Sequence, residues 1–178
     1  HKDSFHLMKT IMANYILEGI YFYSGFMFFY NLGRMGKMSG SAQEIRYINR
    51  DENTHLWLFR NMIIELQKEE PTLFTPEKIE IYRNMLKRGV EEEIAWGQYV
   101  LGNRIEGLTM DMVSDYIHYL GNLRAFSLNF EPLYEGFETE PEAMKWVSIY
   151  SNANNIKTDF FEAKSTAYAK SSAIEDDL

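Results

Sequence analysis

Apolar residues recur at intervals of three and four along most of the chain, and no alternating run persists long enough to suggest a strand. The pattern predicts an all-helical protein. A first helix runs from about Ser4 to about Tyr30 and ends in a loop marked by Gly33, Gly36 and Gly40. A second opens on Ser41-Ala42-Gln43-Glu44, which reads as a capping box in which the Ser oxygen and the Glu carboxylate satisfy each other's orphan amides. It continues to Glu70 and stops at Pro71. The third starts at Thr75-Pro76, a cap followed by proline at the first helical position, and ends near Gly102. The fourth spans about Thr109 to Leu128. A loop containing Pro132, Gly136 and Pro141 leads to a short helix over about 142–152. Polarity rises from Asn154 onward, so residues 1–153 are expected to form the helical domain and 154–178 a flexible acidic tail. No internal repeat is visible.

Between Ile11 and Leu32 the only charged residue is Glu18, and this stretch is long enough to cross a bilayer. A central glutamate facing lipid is costly, Asn14, Ser24 and four tyrosines interrupt the run, and no Lys/Arg-rich flank closely anchors its end. A helix apolar on nearly every side is equally expected at the centre of a large bundle, and that reading is preferred. Composition agrees: with 178 residues, 46% hydrophobic and 15% aromatic, the chain can bury one substantial core. The net charge of −8 leaves no basic stripe to neutralise phosphates, which argues against nucleic acid as a partner. With no cysteine, any metal must be held by oxygen and nitrogen. No signal peptide is evident in the first ten residues, so the expected location is the cytoplasm.

Glu18 then becomes the central question. A buried carboxylate must be protonated, paired with an arginine or bound to a metal. Arg46 and Arg50 are available for the ion pair. Glu52 and His55, three residues apart on the second helix, project from one face and offer the metal alternative. Counted from the turn, Glu18 lies about fourteen residues down one helix and Glu52 about eleven down the next, so at 1.5 Å per residue their levels agree within about 5 Å. A Glu on one helix and a Glu-x-x-His on its neighbour is half of the ligand set of a ferritin-like di-metal carboxylate bundle. Spacing alone leaves the ion pair and the metal site equally open.

Residues 14–26, Asn-Tyr-Ile-Leu-Glu-Gly-Ile-Tyr-Phe-Tyr-Ser-Gly-Phe, resemble a metal-bearing helix of the small, radical-generating subunit of class I ribonucleotide reductase. Residues 45–55, with the core Arg50-Asp51-Glu52-Asn53-Thr54-His55, resemble its next ligand helix. The tail, with Thr158-Asp159-Phe160-Phe161-Glu162 and the terminal Asp176-Asp177-Leu178, is similar as well. The resemblance covers the whole chain but only the carboxyl-terminal half of the usual subunit. It implies a ferritin-like fold and a cofactor of two iron ions, with manganese or a mixed manganese–iron pair as variants. Glu18, Glu52 and His55 correspond to metal ligands. Phe22, Phe26 and Ile48 correspond to the apolar shell around the oxidant. Asp51 matches a carboxylate on the radical-transfer route, and Tyr168 a relay residue, with Tyr150 as its competitor. Residues 174–178 correspond to the peptide that docks on the large catalytic subunit, and a second copy of the small subunit is an expected dimer partner. The other carboxylate ligand, the other Glu-x-x-His, the radical-bearing tyrosine and the relay tryptophan belong to the amino-terminal half, which is expected as a separate chain completing the bundle. A ferritin-like oxidase or oxygenase acting on a small organic substrate is the alternative function, and a non-catalytic assembly protein is a third.

Other features read more plainly. Trp57, Trp96 and Trp146 are expected to pack, and Glu91-Glu92-Glu93 to form a solvated helix face. His118 is expected at a core or interface position rather than in a ligand pair with Asp115.

Overall fold

The glutamate-bearing apolar segment occupies the centre of a helical bundle, as its composition requires. The computed structural model describes residues 2–151. Regular structure comprises α1 (Lys2–Gly19), α2 (Tyr23–Arg34), α3 (Ser39–Glu69), α4 (Pro76–Val100), α5 (Met110–Ser127) and α6 (Lys145–Ser151), with 3-10 turns at Pro71–Phe74 and Glu142–Met144. No strand forms among the described residues; one antiparallel bridge joins Ile105 and Leu108. The expected tail, with Tyr168 and residues 174–178, lies outside the described residues. No helix among those described is long and apolar enough to cross a membrane.

α1 and α2 run in one direction and α3 returns beside them: Gly33 packs on Ala42, Asn49 Nδ2 donates to the Tyr30 hydroxyl at 2.8 Å, and Leu56 lies against Gly19. α4 runs parallel to α1 and α2 on their other flank, where Gly89 meets Ile16 and Gly97 meets Ser24. α5 then descends against α4, with Gly121 against Val90. Met8, Met12, Tyr15, Ile16, Ile20, Tyr23, Met27 and Tyr30 of α1, α2 and their junction are all buried, as expected of a central element.

The single first helix anticipated from the pattern is in fact two. It breaks at residues 20–22, where the Tyr23 amide donates to the Ile20 carbonyl at 3.2 Å instead of continuing the i to i−4 ladder. No proline marks the break. Its cause is tertiary. Arg124 Nε donates to the Gly19 carbonyl at 3.0 Å, and Arg124 Nη2 to the Tyr23 hydroxyl at 3.1 Å. The Ser24 amide donates to Glu93 Oε1 at 2.8 Å. Arg124 thus serves the freed carbonyl end of α1 with a charge matching the helix dipole it meets, and the Glu93 carboxyl accepts at the amide end of α2. Tyr15 holds Arg124 in turn, donating to its carbonyl at 3.0 Å.

The capping box expected at Ser41–Glu44 does not form. α2 ends instead in a Schellman motif, with Lys37 N donating to the Leu32 carbonyl at 2.8 Å, Gly36 N to the Gly33 carbonyl at 3.0 Å, and Gly36 left-handed at φ +72°. A second left-handed residue, Met38 at φ 49°, then starts α3 two residues early, at Ser39, without a side-chain cap. Thr75 and Thr109 do occupy N-cap positions, and Thr109 Oγ1 accepts from the Met112 amide at 3.3 Å. The irregular stretch after α5 is organised by Asn122, whose amide donates to the carbonyls of Tyr134 (2.7 Å) and Phe137 (3.0 Å) and accepts from the amides of Leu133 (2.8 Å) and Tyr134 (3.0 Å).

Two expected placements are corrected. Glu91 and Glu92 are solvated, but Glu93 is only 2% exposed. Trp57 and Trp96 are exposed rather than packed, whereas Trp146 is half-buried beneath the Arg34 guanidinium. His118 behaves as expected, sandwiched between Tyr134 and Phe137 with Nδ1 2.8 Å from the Ser114 carbonyl.

A methyl group at Gly89 would lie 2.5 Å from Ile16 Cγ2. G89A gains about 1 kcal/mol of helix propensity but incurs about 1–3 kcal/mol of overpacking, so denaturant unfolding should show a net loss of about 1 kcal/mol. Burial pushes the Glu93 carboxyl up to about 7, against the hydrogen bonding of Ser24. The native state therefore keeps a proton that the unfolded chain releases, and stability should fall as pH rises from 4.5 through about 7 and level off above it. The loss is on the order of 3 kcal/mol, and unfolding curves of E93Q across the interval should lack this component of the slope.

Candidate metal centre

Glu18 is the penultimate residue of α1, one position before the carbonyl held by Arg124. Gly19 has no side chain, and a Cβ there would lie 2.9 Å from Leu56 Cδ1 and 3.0 Å from Arg124 Nε; α3 and Arg124 can therefore close on the end of α1. Leu56 is buried, and Glu52 and His55 beside it on α3 reach the Glu18 side chain. One ligand atom from each of Glu18, Glu52 and His55 lies within 4.8 Å of the other two. His55 Nδ1 is 2.8 Å from Glu52 Oε2 and 3.8 Å from Glu18 Oε2. The depth argument from residue counting thus agrees with the structure.

The electrostatics of the cluster are those of crowded negative charge. Burial first, then the hydrogen bond and charge of Glu52, push the Glu18 carboxyl up to about 7, while His55 opposes the shift. The His55 imidazole is raised, chiefly by its hydrogen bond to Glu52. The side chains of Glu18 and Glu52 are 14% and 19% exposed and that of His55 54%, so the group opens outward on the imidazole side. Among the described residues no arginine pairs with Glu18. Arg46 lies over the Tyr150 ring at 5.7 Å, and Arg50 over Tyr47 at 5.5 Å while pairing with Asp51 at 3.1 Å. The ion pair left open by sequence spacing is absent, and the carboxylates face each other and an imidazole. Two carboxylates and one imidazole are oxygen and nitrogen donors suited to iron or manganese, and a cation between them would offset the burial and the carboxylate repulsion that raise Glu18.

The remaining candidates lie at varying distances from this group. Phe22 sits in the helix break, half-buried, and stacks on the buried Phe26 with ring centroids 6.0 Å apart. Ile48 lies one turn before Glu52 on α3 and is 45% exposed. Asp51 is exposed one turn before His55, and its charge contributes to the raised imidazole. Tyr150 stacks on Tyr30 at 5.5 Å, at the far end of α2. Sequence reading did not anticipate Arg124, Tyr15 or the buried role of Glu93. The one available signal was the spacing Gly89-x3-Glu93-x3-Gly97, which sets a glutamate between two side-chain-free positions on a single helix face.

Residues 1–141 match the family model for ribonucleotide reductase, small chain. The chain is 69% identical over 177 residues to the ribonucleoside-diphosphate reductase subunit beta of Treponema pallidum (strain Nichols), covering 99% of this chain and 50% of that protein. It is 42% identical over 166 residues to the subunit of the same name from Halalkalibacterium halodurans, covering 93% and 48%. Among solved structures it is similar to the ribonucleotide reductase R2 subunit from Clostridium botulinum, with a TM-score of 0.75 and 52% identity over 79% of this chain and 44% of that one. The chain therefore spans about half the length of the curated relatives it matches.

Proposed function

The chain belongs to the ribonucleotide reductase small-chain family, and from that premise we propose that it carries half of the metal centre and the radical-transfer apparatus of a ribonucleoside-diphosphate reductase. The observation that carries this reading is the convergence of Glu18, Glu52 and His55 within 4.8 Å on two antiparallel helices of a ferritin-like bundle. These three residues hold one side of a site for two iron ions, or for manganese in their place. The remaining ligands come from residues outside this sequence. Support for a covering element comes from α3 itself, where Ile48, Leu58 and Met62, flanking the ligands, are 45%, 50% and 39% exposed.

When bound, the metal pair supplies the chemistry that reduces dioxygen and oxidises a neighbouring side chain. This chain's own residues prepare that chemistry. Glu18 surrenders its proton and His55 presents a neutral ring nitrogen as the cation enters. Phe22, Phe26 and Ile48 line the apolar side and exclude water. Asp51 orients the hydrogen-bonded route by which the oxidising equivalent leaves, and Tyr168 passes it on. Residues 174–178, acidic with apolar anchors, dock on the large catalytic subunit, where ribonucleotides become deoxyribonucleotides. The assembled small subunit pairs with a second copy, and the assembly is placed in the cytoplasm.

Metal analysis tests the centre: the chain joined by a polypeptide carrying the complementary half should bind about two metal ions per assembled subunit, and the chain alone far fewer. Equal loading of both, or loading that survives E18A and H55A, contradicts the proposed ligands. Y168F should abolish turnover in the assembled enzyme with metal content intact; retained turnover removes Tyr168 from the route.

A further inference from the structure

The break between α1 and α2 falls directly after a residue assigned to the metal, and two buried polar side chains from elsewhere in the fold, Arg124 and Glu93, hold it open. Arg124, 9% exposed, contacts one face of the broken helix at three levels. Its Nε takes the Gly19 carbonyl at 3.0 Å, its Nη2 the Tyr23 hydroxyl at 3.1 Å, and its own carbonyl the Tyr15 hydroxyl at 3.0 Å. Positions 15, 19 and 23 are spaced by four, so one α5 residue spans the discontinuity. On the opposite flank Glu93 accepts the Ser24 amide at 2.8 Å, while Gly89 and Gly97, one turn to either side of it, let α4 approach Ile16 and Ser24.

We propose that Arg124 and Glu93 are positioning residues for the metal centre: by holding the two ends of the interrupted helix they fix where the Glu18 carboxylate stands relative to Glu52 and His55. The Gly19 carbonyl belongs to the residue next to Glu18, so the guanidinium sets the direction in which the last turn of α1 stops. Without that bond the carbonyl regains its partner only by continuing the helix through residues 20–22, and the added turn redirects α2 and displaces the end of α1 that carries Glu18. Glu93 closes the opposite route by occupying the amide that such a helix needs. α3, carrying the other two ligands, is also held away from the break, by Asn49 on the Tyr30 hydroxyl and by Gln67 on the Leu128 carbonyl, each at 2.8 Å. Loss of the clamp therefore moves one ligand against the other two instead of shifting the whole group.

The proposal rests on the assignment of Glu18, Glu52 and His55 to the metal. The test uses the chain assembled with its complementary half, titrated with manganese(II) and followed by electron paramagnetic resonance, with the melting temperature of the metal-free protein recorded alongside. R124M should weaken manganese binding by about tenfold or more and alter the spectrum of the bound ion, with R124K recovering part of the loss. E93L should behave like R124M. E93Q, whose amide oxygen still accepts the Ser24 amide, should stay within about twofold of the wild type. G121A, which crowds Val90 at 2.6 Å between α4 and α5, serves as a purely structural comparison. If R124M fails to fold, R124K and E93L decide. Wild-type affinity and spectrum in those variants overturn the proposal, as does a loss that G121A reproduces at the same melting temperature. Failure of the wild type itself to bind manganese overturns the ligand assignment instead.

Discussion

The architecture turns on the cost of interrupting a buried helix. Three residues leave the regular ladder, and the Gly19 carbonyl and the Ser24 amide that flank them are buried and need partners within the protein. Arg124 meets that demand with a charge of the sign the carbonyl end prefers, and Glu93 with a buried carboxyl oxygen that accepts the Ser24 amide. α4 and α5 are needed to deliver them. The glycines at 89 and 97 follow from the same requirement, since a carboxylate as short as that of glutamate reaches the Ser24 amide only if the helices nearly touch.

The helical content, the four long elements and the juxtaposition of Glu18 with Glu52 and His55 were legible because each depends on local periodicity. A spacing of three puts Glu52 and His55 on one face, and residue counts from a single turn place Glu18 opposite them. The break at residues 20–22 was not legible, because Tyr21, Phe22 and Tyr23 have no intrinsic objection to helix; the partner that stops them is Arg124, about a hundred residues further along the chain. Glu93 was misread for a related reason. Three consecutive glutamates look like a solvated face, and only the glycines four residues to either side distinguish the buried one. At Ser41–Glu44 the local signal was real but lost to the left-handed pair Gly36 and Met38, which turned the chain early enough for α3 to begin before it.

The three converging side chains have the electrostatics that the proposed metal assignment needs. Burial first, and then the neighbouring Glu52, hold the Glu18 carboxyl at about 7, and a cation between the two carboxylates would offset both effects. The arginines nearest in sequence are kept elsewhere: Arg46 stacks on Tyr150, and Arg50 is divided between Tyr47 and Asp51. On the proposed reading, binding capacity here comes from withholding internal counter-charge as much as from gathering donors.

Asn122 has an implication for how the chain after α5 is held. Its amide uses every donor and acceptor it has on backbone groups between Leu133 and Phe137, eleven to fifteen residues ahead. Closing so short a span forfeits little chain entropy, and the contacts involve no other helix. The segment after α5 is thus closed locally on its own parent helix, and Arg83 on the Pro132 carbonyl at 2.9 Å fastens the same segment to α4.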